Sequence, residues 1–183
     1  MSDPVPEKDY PKDVEAWRTT KSGLDIFMRA LKPGDRALYK VFLESMSDQS
    51  VYLKFFRSIR PTDDFVEKMV EVDYDRQMAI LAFKGEGETE EILGMGRYIM
   101  NKDDGTAEVY FGVRDDYQNR GIGKELLRHL VAVGRKRGLK GFTAQVMVDN
   151  RRMLHLFRSL EGKEYKIERR MEAGVFYFDM AFI

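Results

Sequence analysis

The sequence contains no cysteine, which excludes disulfide bridges, thiolate zinc sites and cysteine nucleophiles and is compatible with a reducing compartment. Its charges balance, with 31 Lys and Arg against 31 Asp and Glu. It therefore has no overall basic field that would attract nucleic acid or an anionic membrane. It also lacks any apolar run that approaches the roughly 20 residues of a membrane helix. We expect a cytoplasmic protein that binds its partners through local sites, with no nucleic acid and no membrane among them.

The length of 183 residues suits one domain with a sizeable apolar core around a mixed sheet. Up to Lys21 the sequence is charged, carries three prolines and shows no sustained apolar period. We therefore expect residues 1–21 to form a flexible N-terminal arm and residues 22–183 to form a single domain. The chain contains no internal repeat or low-complexity segment.

Apolar periodicity divides the predicted domain into strands and helices. Strand patterns cover residues 24–31, 78–83, 92–100, 108–113, 142–148, 165–170 and 175–182, and helical patterns follow Pro33, Gly121 and Asn150 and occur near 52–56 and 63–72. The strand, helix and strand within 108–148 form a crossover, which makes those two strands parallel, whereas short glycine-bearing turns elsewhere favour antiparallel hairpins. The pattern predicts a mixed α+β fold with a mostly antiparallel sheet of about six to seven strands, one parallel pair and flanking helices.

The segment from Gln118 to Gly123 lies between a predicted strand and an amphipathic helix, where main-chain N–H groups and the helix dipole can converge on an anion. Because Gly121 and Gly123 have no Cβ, a diphosphate can lie against the main chain. Arg120 and Lys124 could add positive charge. A nucleotide triphosphatase loop does not fit, since Gln118 stands where its first glycine belongs, and a dinucleotide fingerprint would need a third glycine. A tight strand-to-helix turn without a ligand is the structural alternative.

Gln118, Gly121 and Gly123 resemble the signature of the GNAT superfamily of acetyl-CoA-dependent N-acetyltransferases, which is Gln or Arg, two residues, Gly, one residue, then Gly or Ala. The strand before this segment and the helix and strand after it are similar as well. Two stretches, 50–56 and 73–80, look like the catalytic domains of bacterial protein-lysine acetyltransferases. The resemblance covers roughly residues 24–183. It implies the GNAT fold, with the parallel pair splayed at a cofactor cleft, and acetyl-CoA as the cofactor.

The resemblance also implies which residues bind the cofactor. Asn150 opens a helix where GNAT enzymes often present an asparagine to the pantetheine arm, and a backbone N–H near residues 111–113 would stabilise the thioester carbonyl. The full predicted set is Phe111, Gly112, Val113, Gln118, Asn119, Arg120, Gly121, Ile122, Gly123, Lys124, Asn150 and Met153. No grouping of His, Asp and Glu has the spacing typical of a metal site. His129 lies on the polar side of its predicted helix, so we expect it to be exposed to solvent.

An amine must lose a proton before it attacks a thioester, and a lysine with an ordinary pKa of about 10.4 is almost wholly protonated near neutrality. Glu108 is the candidate general base. It stands about five residues before the turn that leads to the diphosphate loop, roughly 16 Å along an extended strand. The resemblance supports this role, since a glutamate on this strand commonly serves as the base in lysine-acetylating GNAT domains. The alternative is a surface carboxylate on the polar face of a strand.

The sequence offers several candidates for the acid that protonates the departing thiolate. Many GNAT enzymes place a tyrosine seven residues after the helix-opening asparagine, and that position is Phe157 here. His155, Tyr110 and Tyr165 are the alternatives. The thiolate could also leave without a dedicated acid, since a thiol pKa near 8.5 makes it a fair leaving group.

The sequence thus predicts an enzyme that transfers an acetyl group from acetyl-CoA to a primary amine, with a protein lysine favoured as the acceptor. Two alternatives stay open: an acetyltransferase acting on a small-molecule amine, and a catalytically weak acyl-CoA-binding regulatory module. The pattern does not distinguish a monomer from a homodimer.

Overall fold

The structure is a computed structural model that describes residues 10–85, 87–102 and 104–183. The strands are β1 (Ala16–Thr19), β2 (Asp25–Ala30), β3 (Gln77–Lys84), β4 (Glu91–Met100), β5 (Thr106–Val113), β6 (Gly141–Met147), β7 (Tyr165–Glu172) and β8 (Val175–Phe182). The α-helices are α1 (Arg36–Glu44), α2 (Asp48–Phe55), α3 (Asp63–Val70), α4 (Ile122–Lys136) and α5 (Arg151–Arg158). Within the described ranges these eight strands form one sheet in the order β1-β2-β3-β4-β5-β6-β8-β7.

The sheet confirms the predicted α+β architecture. Every neighbouring pair is antiparallel except β5 and β6, which are the two strands that the sequence predicted to be parallel. Each predicted strand and helix is present, with its ends shifted by a few residues. The longest helix, α4, forms the crossover between the parallel strands.

The eighth strand, β1, was missed. It pairs antiparallel with β2, with Trp17 opposite Phe27 and their rings 5.2 Å apart. The prediction of a flexible arm is therefore wrong for Ala16–Thr19, whereas residues 1–9 of that arm lie outside the described residues. β1 gave no apolar alternation because three of its four residues are exposed at the edge of the sheet.

Glycines on β4 allow α4 to approach the sheet closely. A Cβ at Gly94 would lie 3.1 Å from the Ile122 side chain, and one at Gly96 would lie 2.9 Å from both Leu130 and Phe111. α4 therefore covers the face of the sheet that carries these residues. Since neighbouring strand residues point to opposite faces, Arg97 and Gly112 face away from α4.

The helices before β3 cover that opposite face. On β5, a Cβ at Gly112 would meet the side chains of Lys54 and Met46, and on β4 the Arg97 guanidinium donates to the Met69 carbonyl at 2.8 Å. Lys54 belongs to α2 and Met69 to α3. The sheet is thus packed on both faces. No helix in the described part of the chain is both long and apolar enough to cross a membrane.

His129 is buried, which corrects the prediction that it is exposed to solvent. It is 8% exposed, and its Nε2 atom lies 2.7 Å from the carbonyl oxygen of Val14. The short 3₁₀ segment Lys12–Val14 packs over the middle of α4 and covers this position. The helical pattern could not reveal this contact, because it joins residues 115 positions apart.

Candidate active site

A cleft opens where the two parallel strands separate. β5 and β6 are paired only over Thr106–Glu108, where Glu108 lies opposite Thr143, although both strands continue for several residues beyond this point. The cleft has a volume of about 750 Å³. Residues from both faces of β5 line it, including Phe111 and Val113 on one face and Tyr110 and Gly112 on the other. The predicted splayed pair is therefore present.

The separation leaves part of β5 without a strand partner. Within the described part of the chain, no strand pairs with the β6-facing edge of β5 beyond Glu108. Main-chain N–H groups on such an edge need other acceptors. The predicted oxyanion donors at residues 111–113 lie on this segment, and all three residues line the cleft.

The loop between β5 and α4 forms one end of the cleft. Gly121 precedes the first turn of α4 and has a φ of +93°, a conformation that favours glycine. Among the described residues, none caps the start of α4 with a side chain. The first-turn amides of a 15-residue helix are therefore available to an anion.

The turn between β1 and β2 lies against this loop. A Cβ at Gly121 would lie 3.2 Å from Lys21 Cγ and 3.4 Å from the Lys21 backbone nitrogen, and Ser22 Oγ donates to the Arg120 carbonyl at 3.0 Å. Lys21 also lines the cleft. Part of the segment that was predicted to be a flexible arm thus supports the loop and adds a positive charge beside it.

Gln118 holds the loop in place through its side chain. Its Nε2 donates to the Val113 carbonyl at 3.0 Å and to Ser50 Oγ at 3.3 Å, and its Oε1 accepts from Arg152. These bonds join the end of β5, the helix α2 and the helix α5. The Gln118 amide therefore connects three of the elements that surround the cleft.

Most of the predicted cofactor-binding residues lie together in this cleft. Those that line it are Phe111, Gly112, Val113, Gln118, Asn119, Gly121, Gly123, Lys124, Asn150 and Met153. The side chain of Arg120 instead lies over the ring of Tyr117, 4.9 Å from its centroid. Ile122 is buried in the core against Gly94. Only the main chain of Ile122 is available to a ligand.

Asn150 is the N-cap of α5. Its Oδ1 accepts a hydrogen bond from the Met153 backbone N–H at 3.2 Å, as the sequence predicted for a capping asparagine. Both residues line the cleft. The cap fixes the first turn of α5 beside the splayed strands.

Glu108 lies at the point where β5 and β6 separate. Gln145 Nε2 on β6 donates to Glu108 Oε1 at 3.4 Å, and the Tyr110 side chain lies beside the same carboxylate. Burial, and then the Glu108 carboxylate, raises the pKa of Tyr110 above its ordinary value. Tyr110 therefore stays protonated near neutrality.

The candidates for the general acid differ in whether they are buried or line the cleft. Phe157 is buried and packs against Phe111 and Phe178, with ring centroids 6.3 and 5.4 Å apart. Tyr165 is fully buried, and its hydroxyl donates to the Phe157 carbonyl at 2.8 Å, so this guess is wrong. Tyr110 and His155 line the cleft, and His155 is exposed.

The cleft is basic, although the chain as a whole is neutral. Among the described residues that line it, the basic side chains are Lys21, Lys54, Arg97, Lys124 and Arg152, and the acidic one is Glu108. This excess favours an anionic ligand. Of these five, only Lys124 was predicted as part of the site. The other four are brought to the cleft by tertiary packing, Lys21 from the turn between β1 and β2 and the rest from α2, β4 and α5.

These features fit coenzyme A. An uncapped helix start beside a glycine suits a diphosphate, the basic side chains suit its charge, and unpaired strand main chain suits an amide-bearing arm. The volume is within the range of small-molecule sites. The fold and the cleft together define an acyltransferase of the type that the sequence resembles.

The comparison with family models gives the same class. The model described as the acetyltransferase (GNAT) family matches residues 38–161, which is more than half of the chain. The chain belongs to this family. It is an acetyltransferase by that membership, and enzymes of this family generally use acetyl-CoA.

The chain is also similar to individual proteins that are named acetyltransferases or GNAT domains. The chain is 29% identical over 136 residues to the acetyltransferase PA5475 of Pseudomonas aeruginosa, covering 73% of each protein. It is 31% identical over 135 residues to the acetyltransferase Pat of Mycolicibacterium smegmatis, covering 73% of this chain and 40% of that protein. The solved GNAT domain of S. lividans PAT superposes with a TM-score of 0.84 at 28% identity, covering 94% of this chain and 99% of that domain.

Proposed function

We propose that this acetyltransferase transfers the acetyl group of acetyl-CoA directly to a primary amine, preferably the side chain of a protein lysine, with Glu108 as the general base. The observation that carries the proposal is the position of Glu108 at the splay of β5 and β6, in the same cleft as the uncapped start of α4. Glu108 would activate the amine at one end of the cleft, and the start of α4 would hold the phosphates of acetyl-CoA at the other end. The amine and acetyl-CoA are the two substrates of this reaction.

The main chain of residues 121–124 is proposed to hold the diphosphate. The helix dipole and the first-turn amides supply donors, and Lys21 and Lys124 supply charge at the same end of the cleft. Asn150 and Met153, at the start of α5, are proposed to bind the pantetheine arm. These contacts would direct the thioester toward the unpaired part of β5.

Glu108 is proposed to accept a proton from the incoming ammonium, directly or through water. Gln145 donates to its carboxylate at 3.4 Å and so restricts its direction. An N–H group of residues 111–113 would then stabilise the oxyanion. The thiolate leaves unaided or takes its proton from water or Tyr110, because Phe157 offers no acidic group.

A protein lysine is favoured as the acceptor for two reasons. The segments 50–56 and 73–80 resemble bacterial protein-lysine acetyltransferases, and the comparisons include two proteins named Pat. The cleft is also open to solvent around Ile99, which is 41% exposed and lines it. A side chain that projects from a protein surface could enter there.

The experiment is to incubate the chain with acetyl-CoA and either a lysine-rich protein mixture or a panel of small amines, followed by mass spectrometry. Acetylated lysines that depend on the protein support the proposal. Acetylation confined to small amines would replace the acceptor with a metabolite. A sample that binds coenzyme A but acetylates neither set would instead be a regulatory acyl-CoA-binding module, which the buried Phe157 in place of a tyrosine favours.

A further inference from the structure

Lys54 extends from α2 across the cleft toward the main chain of β5. Its Nζ atom lies 3.0 Å from the point where a Cβ of Gly112 would be. This atom is buried, and among the described residues none forms a hydrogen bond with it. The N–H donors of this amine, two when it is neutral and three when it is charged, thus have no acceptor among the described residues.

The surroundings of Lys54 disfavour its charged form. Burial, followed by the positive charge of Arg97 on the neighbouring strand, lowers the pKa of Lys54 to about 7. The carboxylate of Glu108 lies on the same face of β5 but accepts its hydrogen bond from Gln145. A large share of Lys54 is therefore the neutral amine near neutral pH, and a neutral amine carries the lone pair that attacks acyl groups.

The position of Lys54 coincides with the proposed thioester site. Gly112 belongs to the segment 111–113, which is proposed above to hold the thioester carbonyl, so the inference rests on that function. Lys21 and Lys124 also line the cleft, but both lie beside the loop that is proposed to hold phosphates. Lys54 is thus the cleft lysine whose amine lies at the acyl end.

We propose that Lys54 is itself an acyl acceptor, and that the protein acetylates this lysine with acetyl-CoA bound in its own cleft. The Nζ lone pair attacks the thioester carbonyl carbon, a C–N bond forms and the C–S bond breaks. The amine nitrogen gives up one proton to water, and the coenzyme A thiolate takes one up. The products are one Nε-acetyl-lysine and free coenzyme A, so the reaction stops after one acetyl group per chain.

Acetylation changes the charge and the hydrogen-bonding capacity of Lys54. An acetylated amine carries no charge and no longer opposes Arg97, and its carbonyl oxygen provides an acceptor where the cleft offers donors. The acetyl group would also occupy the acyl end of the cleft beside Gly112. Self-acetylation would therefore compete with transfer to an external amine.

The test compares wild type with Lys54→Arg and with Lys163→Arg, which removes an exposed lysine outside the cleft. Each protein is incubated with acetyl-CoA alone, then analysed by intact mass and peptide mapping. We expect one acetyl group at Lys54 in wild type and Lys163→Arg, and none at position 54 in Lys54→Arg. The rate should not depend on protein concentration. It should exceed that of the cofactor-binding variant Gly123→Glu by about 10²-fold or more, since positioning replaces a bimolecular encounter.

Two results would overturn the inference in distinguishable ways. If coenzyme A binds by calorimetry and external amines are acetylated while Lys54 stays unmodified, the inference fails and the proposed function stands. If coenzyme A does not bind, both fail. A cofactor-independent measurement is the pH dependence of labelling by limiting acetic anhydride, because restricted access lowers the rate at Lys54 without moving the pH at which it stops rising. We expect the rate at Lys54 to level off above a pH of about 8, and a rate that still rises above a pH of about 9 would contradict the neutral amine.

Discussion

Glu108 on β5 lies opposite Thr143 on β6 in the last residue pair before the two parallel strands separate. A side chain at this position is fixed by a regular strand on one side and faces an open cleft on the other. A position within a regular strand holds a reactive group more precisely than a loop would. The proposed base therefore has a defined direction without being closed off from a substrate.

Replacing Glu108 by Gln should lower kcat by about 10²- to 10⁴-fold, because the amide cannot accept the proton of the incoming ammonium. Binding of coenzyme A, measured by calorimetry, should stay unchanged, since Glu108 lies away from the loop that is proposed to hold the phosphates. The matched control is Glu168→Gln, which makes the same change at an exposed position on β7. Equal turnover by both variants would remove Glu108 as the base.

Asp115 joins the loop before α4 to the start of α2. Its carboxylate accepts from the Ser47 backbone N–H at 2.9 Å, from Ser47 Oγ at 2.8 Å and from Ser50 Oγ at 2.7 Å. Partial burial would raise the pKa of Asp115, but these hydrogen bonds outweigh it and hold the pKa below its usual range. The stability that they contribute is therefore full above a pH of about 4 and declines as the pH falls further.

Asp115→Asn should lower the free energy of unfolding by about 0.5–1 kcal/mol at pH 7, because the amide lacks the charge that strengthens these hydrogen bonds and solvent screens this exposed site. The difference from wild type should shrink below a pH of about 4, where the native carboxylate takes up a proton. Urea unfolding across this range measures both effects. Asp149→Asn, at an exposed site, serves as the control. A difference that does not change with pH would show that the charge of Asp115 is irrelevant to stability.

His129 should make stability depend on pH near neutrality. Burial lowers the pKa of His129, although the bond to the Val14 carbonyl opposes this effect. As the pH falls below the ordinary histidine value of about 6.5, the unfolded chain takes up a proton before the folded chain does, so wild type loses stability. The loss cannot exceed about 1.4 kcal/mol per pH unit for one group.

His129→Gln removes this titration but keeps an N–H donor for Val14. We expect its stability to change less than that of wild type between pH 7.5 and 5.5 in urea unfolding. The control is His155→Gln, which alters the other of the two histidines at an exposed position and should keep the pH dependence of wild type. Should the two variants behave alike, the buried His129 would not be the group responsible.

The regular elements and the loop were predictable because their signals are local. The stripe from Ile122 to Val131 has helical spacing, the alternation from Glu108 to Val113 is that of a strand, and Asn150 is a favoured cap whatever its neighbours. Position 121 requires glycine because its φ is positive and because a Cβ there would crowd Lys21. The positive φ is a property of the local chain, so the glycine itself indicates it in the sequence.

What was missed depends on residues that are distant in the chain. Lys54 looks like a solvated lysine on a short helix, and only the packing of α2 over Gly112 buries its amine. His129 faces the polar side of α4 until the segment near Val14 covers it. β1 is a mostly exposed edge strand whose pairing with β2 leaves no periodic pattern. The contacts of Lys54 and His129 join residues that are far apart in the chain, so the pattern of neighbouring residues does not indicate them.

The most direct test of the account is calorimetric titration of coenzyme A into wild type, Gly123→Glu and Gly34→Glu. Gly123 lines the cleft in the first turn of α4 and has room for a side chain, with Leu156 Cδ2 3.5 Å from a Cβ, whereas Gly34 is exposed, away from the cleft, and has open space around it. A carboxylate against the diphosphate should weaken binding by about 10²-fold or more. We predict saturable binding by wild type and Gly34→Glu and loss of binding by Gly123→Glu. Equal affinity in all three proteins, or no binding to wild type, would contradict the assignment of the start of α4 as the diphosphate site.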